Sequence, residues 1–128
     1  MSYKHLLDSY AWAELFDGTE KGKKVKELLE LGGIATSIIT IAEFSDKCAR
    51  EERDLDPFIK FIQGKAAILP LTLEIAIKAG KLKSELRKIS NNISLADAIH
   101  FQTAKLIGAV FVTGDQDFKD VKNILFLG

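Results

Sequence analysis

Five short apolar runs, separated by stretches whose apolar residues recur at helical spacing, constrain this chain more than any other feature. The runs are residues 4–8, 34–37, 67–69, 109–112 and 124–127. Each is too short for a helix and has the length of a strand buried on both faces. In residues 20–31 the apolar stripe is Val25, Leu28, Leu29 and Leu31, with Lys21, Lys23, Lys24 and Lys26 on the other faces. In residues 72–89 it is Ile75, Ala76, Ala79, Leu82 and Leu86, opposed by Lys78, Lys81, Lys83, Arg87 and Lys88. Parallel strands need crossovers of this kind, usually helices, to join them. The expected fold class is therefore α/β: a three-layer α/β/α sandwich around a five-stranded parallel sheet.

Helix-breaking and capping residues stand where such a fold needs them. Asp8 or Ser9 caps a first helix to about Phe16, Asp17-Gly18-Thr19 makes a turn, and Gly32-Gly33 ends the second helix. A third helix is expected over 38–50, a fourth opens at Asp54 or Asp56-Pro57, and the helix over 94–107 stops at Gly108. With 128 residues and no repeat or linker, one domain over 1–128 is expected.

Composition removes several classes of function. The 18 basic and 18 acidic residues cancel, so no global field draws the chain to a polyanion, which must be held locally. Cys48 is the single cysteine, which excludes an internal disulfide, a redox pair and a cysteine-rich zinc site, and it is expected to be buried filler. Gly32-Gly33 matches neither glycine-rich phosphate-loop pattern. The longest uncharged run, Leu31 to Ala42, falls short of the roughly 20 residues that span a bilayer. Lys4, Asp8 and Glu14 interrupt any leader-like apolar segment, so a cytoplasmic protein without a membrane partner is expected.

Four carboxylates carry the chemistry. Asp8 closes the first run, Glu43 lies early in the helix after the second, Asp97 lies in Ser94-Leu95-Ala96-Asp97-Ala98, and Asp115 follows Val112-Thr113-Gly114. Each has a bland reading. Asp8 fits an N-cap, Thr40 to Glu43 and Ser94 to Asp97 fit capping boxes, and Asp115 and Asp117 fit turns. Together, however, they stand at the ends of successive elements, and a parallel sheet gathers such residues at its carboxyl edge. Converging carboxylates raise one another's pKa unless a cation joins them. Oxygen-only ligands favour Mg2+ or Mn2+ over Zn2+, and such ions suit phosphodiester hydrolysis.

These residues also carry a resemblance. Asp8-Ser9-Tyr10, Thr40-Ile41-Ala42-Glu43-Phe44, Ser94-Leu95-Ala96-Asp97-Ala98-Ile99-His100 and Thr113-Gly114-Asp115-Gln116-Asp117-Phe118 together resemble the PIN-domain ribonucleases, most closely the VapC-type toxins. The resemblance covers nearly the whole chain. It implies a PIN-like nuclease domain, a metal-dependent endoribonuclease acting on single-stranded or loop RNA, and a toxin of a toxin–antitoxin pair. By motif, Asp8, Glu43, Asp97 and Asp115 would be the catalytic and metal-binding acids, with Ser9 and Thr113 in support. Glu43 would hold a second ion or orient the attacking water. Asp117 would approach that ion or cap the following turn. A homodimer and a small antitoxin that blocks the cleft are implied as partners.

Other side chains have simpler expected roles. His100, one turn beyond Asp97, could serve as a metal ligand or proton shuttle, but it and His5 are expected to be packed or solvated, and the lysine faces at 21–26 and 78–88 to be solvated, though both faces could touch RNA phosphates. Tyr10, Trp12 and Phe16 are expected in the core or a dimer contact rather than stacked on bases. Two rival functions remain. A non-catalytic RNA-binding or assembly module would retain the acids as an ion site. An aspartate-based phosphotransfer domain would want a second acid after Asp8, where Asp8-Ser9-Tyr10 has none.

Overall fold

The computed structural model describes residues 2–128. Strand β1 (His5–Leu7) leads into helix α1 (Ser9–Asp17) and then α2 (Glu20–Leu31). Strand β2 (Ile34–Ser37) runs directly into α3 (Ile38–Arg50), followed by α4 (Asp56–Lys65) and β3 (Ala67–Leu69). Helices α5 (Leu73–Leu86) and α6 (Leu95–Ile107) precede β4 (Val110–Thr113), a single 3-10 turn at Gln116–Phe118 and β5 (Ile124–Phe126). The five strands form one sheet in the order β3-β2-β1-β4-β5, with every pairing parallel. The expected architecture is the observed one, with every strand limit within one residue of its expected position.

Successive residues of a strand point to opposite faces, and the core divides accordingly. Leu6 and Phe111 face one way, packing with Leu82, Leu86, Phe101 and Phe118 under α5 and α6. Leu7, Ile34 and Val112 face the other, packing with Trp12, Val25, Phe44 and Ile62 under α1 to α4. Cys48 is buried, as expected of a core filler. Among the described residues no helix is long and apolar enough to cross a membrane.

Two expected details fail. Leu31 ends the α2 stripe yet is 73% exposed, because the stripe runs past the edge of the core. Ala76 is likewise exposed, leaving Ile75, Ala79, Leu82 and Leu86 as the buried line of α5.

Strand order places the site. From β1 the chain first builds outward through β2 and β3, then crosses back to add β4 and β5 on the other flank. Neighbours β1 and β4 therefore diverge in their connections, and the crevice beyond their carboxyl ends is the topological switch point where ligands bind in open parallel sheets.

Helices α1 and α2 approach unusually closely, and Gly22 makes this possible. A Cβ there would strike the backbone of Glu14 and come within 2.9 Å of the Leu15 Cα. Backbone cannot turn aside as a side chain can, so Gly22→Ala is expected to cost at least about 2 kcal/mol, at or above the middle of the usual overpacking range. Urea denaturation would measure it. A loss below about 0.5 kcal/mol would mean that the two helices separate easily.

Candidate functional site

Asp8 is the first residue past β1 and the N-cap of α1, where its Oδ1 accepts the Ala11 N–H at 2.8 Å. It is only 3% exposed. Burial pushes its carboxyl up from 3.8 to about 7; the Thr113 hydroxyl and the Ala11 N–H act against that rise, and the charge of Asp97 adds to it. The end of β1 beneath it is pinned by buried polar contacts. Thr36 donates to the Leu7 carbonyl at 2.7 Å and accepts the Trp12 indole N–H at 3.2 Å.

Asp115 stands two residues past β4, the other strand of the switch point. Its backbone N–H donates to the Thr113 hydroxyl at 3.1 Å, and its Oδ1 accepts the Asp117 N–H at 3.0 Å, capping the 3-10 turn. Burial raises its pKa as well, with Asp97 and Asp117 adding repulsion. Between β4 and Asp115, Gly114 lies beneath the Tyr10 ring so closely that a Cβ would collide with it, at 2.8 Å from Cδ1.

Asp97 is the third residue of α6 and closes a full capping box. Its Oδ2 accepts the Ser94 N–H at 3.0 Å while Ser94 Oγ accepts the Asp97 N–H at 3.1 Å. The capping box expected from Thr40 to Glu43 does not form. Because β2 turns into α3 without a loop, Ser37 is the cap, Thr40 lies inside the helix, and Glu43 falls in its middle. There Glu43 Oε1 accepts the Ser9 hydroxyl at 3.0 Å and lies 2.6 Å from His100 Nε2.

The four acids and Ser9 line one cleft of about 360 Å3. Thr113 sits buried under it. Asp117 does not line it; its Oδ1 accepts the Ser90 hydroxyl at 3.0 Å, tying the segment between α5 and α6 to the 3-10 turn. Trp12 is wholly buried, in keeping with its expected core role, whereas Tyr10 is exposed at the cleft wall. Lys21 reaches the Tyr10 hydroxyl at 3.3 Å.

Three contributions escaped the sequence. Lys47 and Arg50 reach the cleft from the last turn of α3, where Arg50 pairs with Asp46 at 3.2 Å and Lys47 adds positive charge, and neither belongs to the lysine-rich faces of α2 and α5. His100 is 1% exposed and bonded to Glu43, so it is more than packing. The one available signal was its position one turn after Asp97, which a lone helical histidine commonly shares with core residues.

A common pattern runs through the acids. Each gives one oxygen to a local donor: Ala11, Ser94 and Asp117 backbone N–H groups for the aspartates, Ser9 and His100 for Glu43. As the side chains stand, no three such groups among the described residues are close enough to hold an ion.

The model of the PIN domain family matches residues 5–124. No curated protein matches the sequence. Among solved structures, the chain is similar to a toxin–antitoxin complex from Klebsiella pneumoniae, with TM-score 0.76, 22% identity and 98% of each chain covered. It is also similar to the sarcin-ricin loop cleaving toxin VapC20 of Mycobacterium tuberculosis, with TM-score 0.73, 16% identity and coverage of 94% of this chain and 97% of that one. A third is VapBC2 of Rickettsia felis bound to a promoter DNA fragment, with TM-score 0.72, 18% identity and coverage of 95% and 96%. At these identities the likeness is one of fold.

Proposed function

The chain belongs to the PIN domain family, and from that premise we propose that it is a Mg2+- or Mn2+-dependent endoribonuclease, the toxin of a toxin–antitoxin pair. One observation carries the reading: a buried carboxylate, Asp8, faces a cleft that Glu43, Asp97 and Asp115 also line at the switch point of a parallel sheet. A negative group in that position is costly alone and favourable beside a cation.

The residues fit a divalent ion by donor chemistry. All four acids offer hard oxygens, and the oxygen each has tied to a local donor fixes the carboxylate while the other stays available. Asp8, Asp97 and Asp115 would hold the ion, and Glu43 would hold a second or orient the attacking water. When bound, the ion supplies Lewis acidity toward the phosphate and acidifies water, so no protein nucleophile is required. Lys47 and Arg50 would bind phosphates flanking the scissile bond, and Tyr10 offers an exposed ring to an unpaired base. An unpaired or loop RNA suits a ring of this kind, since duplex bases are not free to stack on it.

The partners follow the same line. One of the similar structures is a toxin–antitoxin complex by name, which supports a protein antitoxin here. A homodimer has candidate surface in Leu71, Leu73 and Ile77, all exposed at the start of α5.

Cleavage of unstructured RNA in Mn2+, abolished by EDTA and by Asp115→Asn, is the expected result. An RNA-binding module without catalysis would bind the same RNA and leave it intact. In cells, expression without a partner is expected to arrest growth, and Asp115→Asn to relieve the arrest. Equal inhibition by wild type and mutant would show that the toxicity has another source.

A further inference from the structure

We infer that His100 is a positioning residue for Glu43: its Nε2–H locks one carboxylate oxygen and thereby turns the other toward the cleft. The inference rests on the nuclease reading of that cleft. Glu43 projects from the middle of α3, so no helix cap fixes it as caps fix the three aspartates. A free glutamate has three rotatable bonds and would sample the cleft loosely. Two side-chain donors replace the missing cap.

Both converge on the same atom. Ser9 Oγ donates to Glu43 Oε1 at 3.0 Å, and His100 Nε2 lies 2.6 Å from that oxygen. Among the described residues Oε2 takes part in no hydrogen bond or ion pair. Two donors on one oxygen define the plane of the carboxylate, and the second oxygen is left for an ion or its water. A half-exposed acid is thus held from behind by a histidine that itself has almost no exposure.

The ring also discloses its tautomer. His100 Nδ1 is buried and has no hydrogen-bond partner among the described residues. A proton there would be an unsatisfied buried donor, whereas a proton on Nε2 serves Glu43 and leaves Nδ1 only a bare lone pair. His100 therefore reaches the cleft only through Glu43. Carboxylates that ligate metals are themselves commonly held by hydrogen bonds from outer-shell partners.

The test uses metal-free protein first. Long-range 1H–15N NMR is expected to show His100 protonated at Nε2, and an Nδ1-protonated ring would overturn the inference whatever the ion does. Next, Mn2+ affinity is measured by calorimetry for wild type, His100→Leu and His100→Gln, with melting curves for each. Loss of an outer-shell partner usually weakens affinity or activity by about 10- to 100-fold. His100→Leu is expected to weaken Mn2+ binding by at least about tenfold on that scale and to lower kcat while leaving KM for RNA nearly unchanged. His100→Gln, whose amide N–H can replace Nε2–H, should recover most of the loss. A His100→Leu protein that binds Mn2+ as tightly as wild type, or Leu and Gln variants equally impaired, would overturn the positioning role alone. Wild-type protein that binds no Mn2+ would instead overturn the nuclease reading, and the tautomer would still decide whether His100 holds Glu43.

Discussion

Stripped of metal, the Asp8→Asn protein is expected to be more stable than wild type at pH 8, although the substitution falls in the candidate site. The sign follows from proton linkage. Asp8 has a carboxyl pKa of 3.8 when unfolded and about 7 in the fold, with burial as the main cause. Between those values the native protein keeps a proton that the unfolded chain has released, so its stability falls as pH rises, by about 1.4 kcal/mol per unit. The stability present below pH 4 is lost through the folded pKa, about 4 kcal/mol in all as an upper figure. An asparagine never ionises, and its Oδ1 can still accept the Ala11 N–H that the aspartate accepts at 2.8 Å. Urea curves in EDTA should therefore coincide near pH 4 and separate progressively up to pH 8. Mn2+ should reverse the order, because a ligand at roughly 100 times its Kd adds about 2.7 kcal/mol to the protein that binds it and nothing to one that does not. Curves that stay parallel across this range would show that the Asp8 site does not penalise the charge.

The fold was legible because its signals were local and redundant. Three-residue strands such as Ala67–Leu69 stand out by apolar content and by the breakers beside them, and Gly18 and Gly108 end their helices in the left-handed conformation that favours glycine. Less legible was anything that depends on which elements meet. Gly22 is an unfavourable residue by propensity inside a lysine-rich helix, and only the approach of α1 explains it. Lys47 and Arg50 are unremarkable on α3 until the cleft forms beside them. Glu43 shows the same limit from another side: the string Thr40 to Glu43 satisfies the capping pattern, but β2 enters α3 at Ser37, so the pattern has no helix start to act on. His100 and Glu43 are 57 positions apart, and no local rule joins them.

Capping does not exclude ion binding for an acid, because the two uses can occupy different oxygens of one carboxylate. This makes Asp97 the place where the largest change in activity should come with little change in stability. Its Oδ2 accepts the Ser94 N–H at 3.0 Å, and Ser94 Oγ accepts the Asp97 N–H in return. In Asp97→Asn the amide oxygen can keep the cap, while the NH2 group takes the place of the free oxygen and presents a donor to any cation. The melting temperature in EDTA should then move little, since loss of the charge costs the helix N-terminus only about 0.3–1 kcal/mol and relieves repulsion with Asp8 and Asp115. RNA cleavage should fall by more than about 100-fold, beyond the usual effect of an outer-shell partner, because a direct ligand is lost. Ser94→Ala should do the opposite. It removes the cap hydroxyl and is expected to lower stability by about 1 kcal/mol while cleavage persists. Melting curves and cleavage rates of the two variants, measured side by side in EDTA and in Mn2+, separate the roles. If Asp97→Asn cleaves at near wild-type rate, or if Ser94→Ala loses cleavage as completely as Asp97→Asn does, then the capping box alone explains this carboxylate, and Asp97 leaves the set of metal-holding acids.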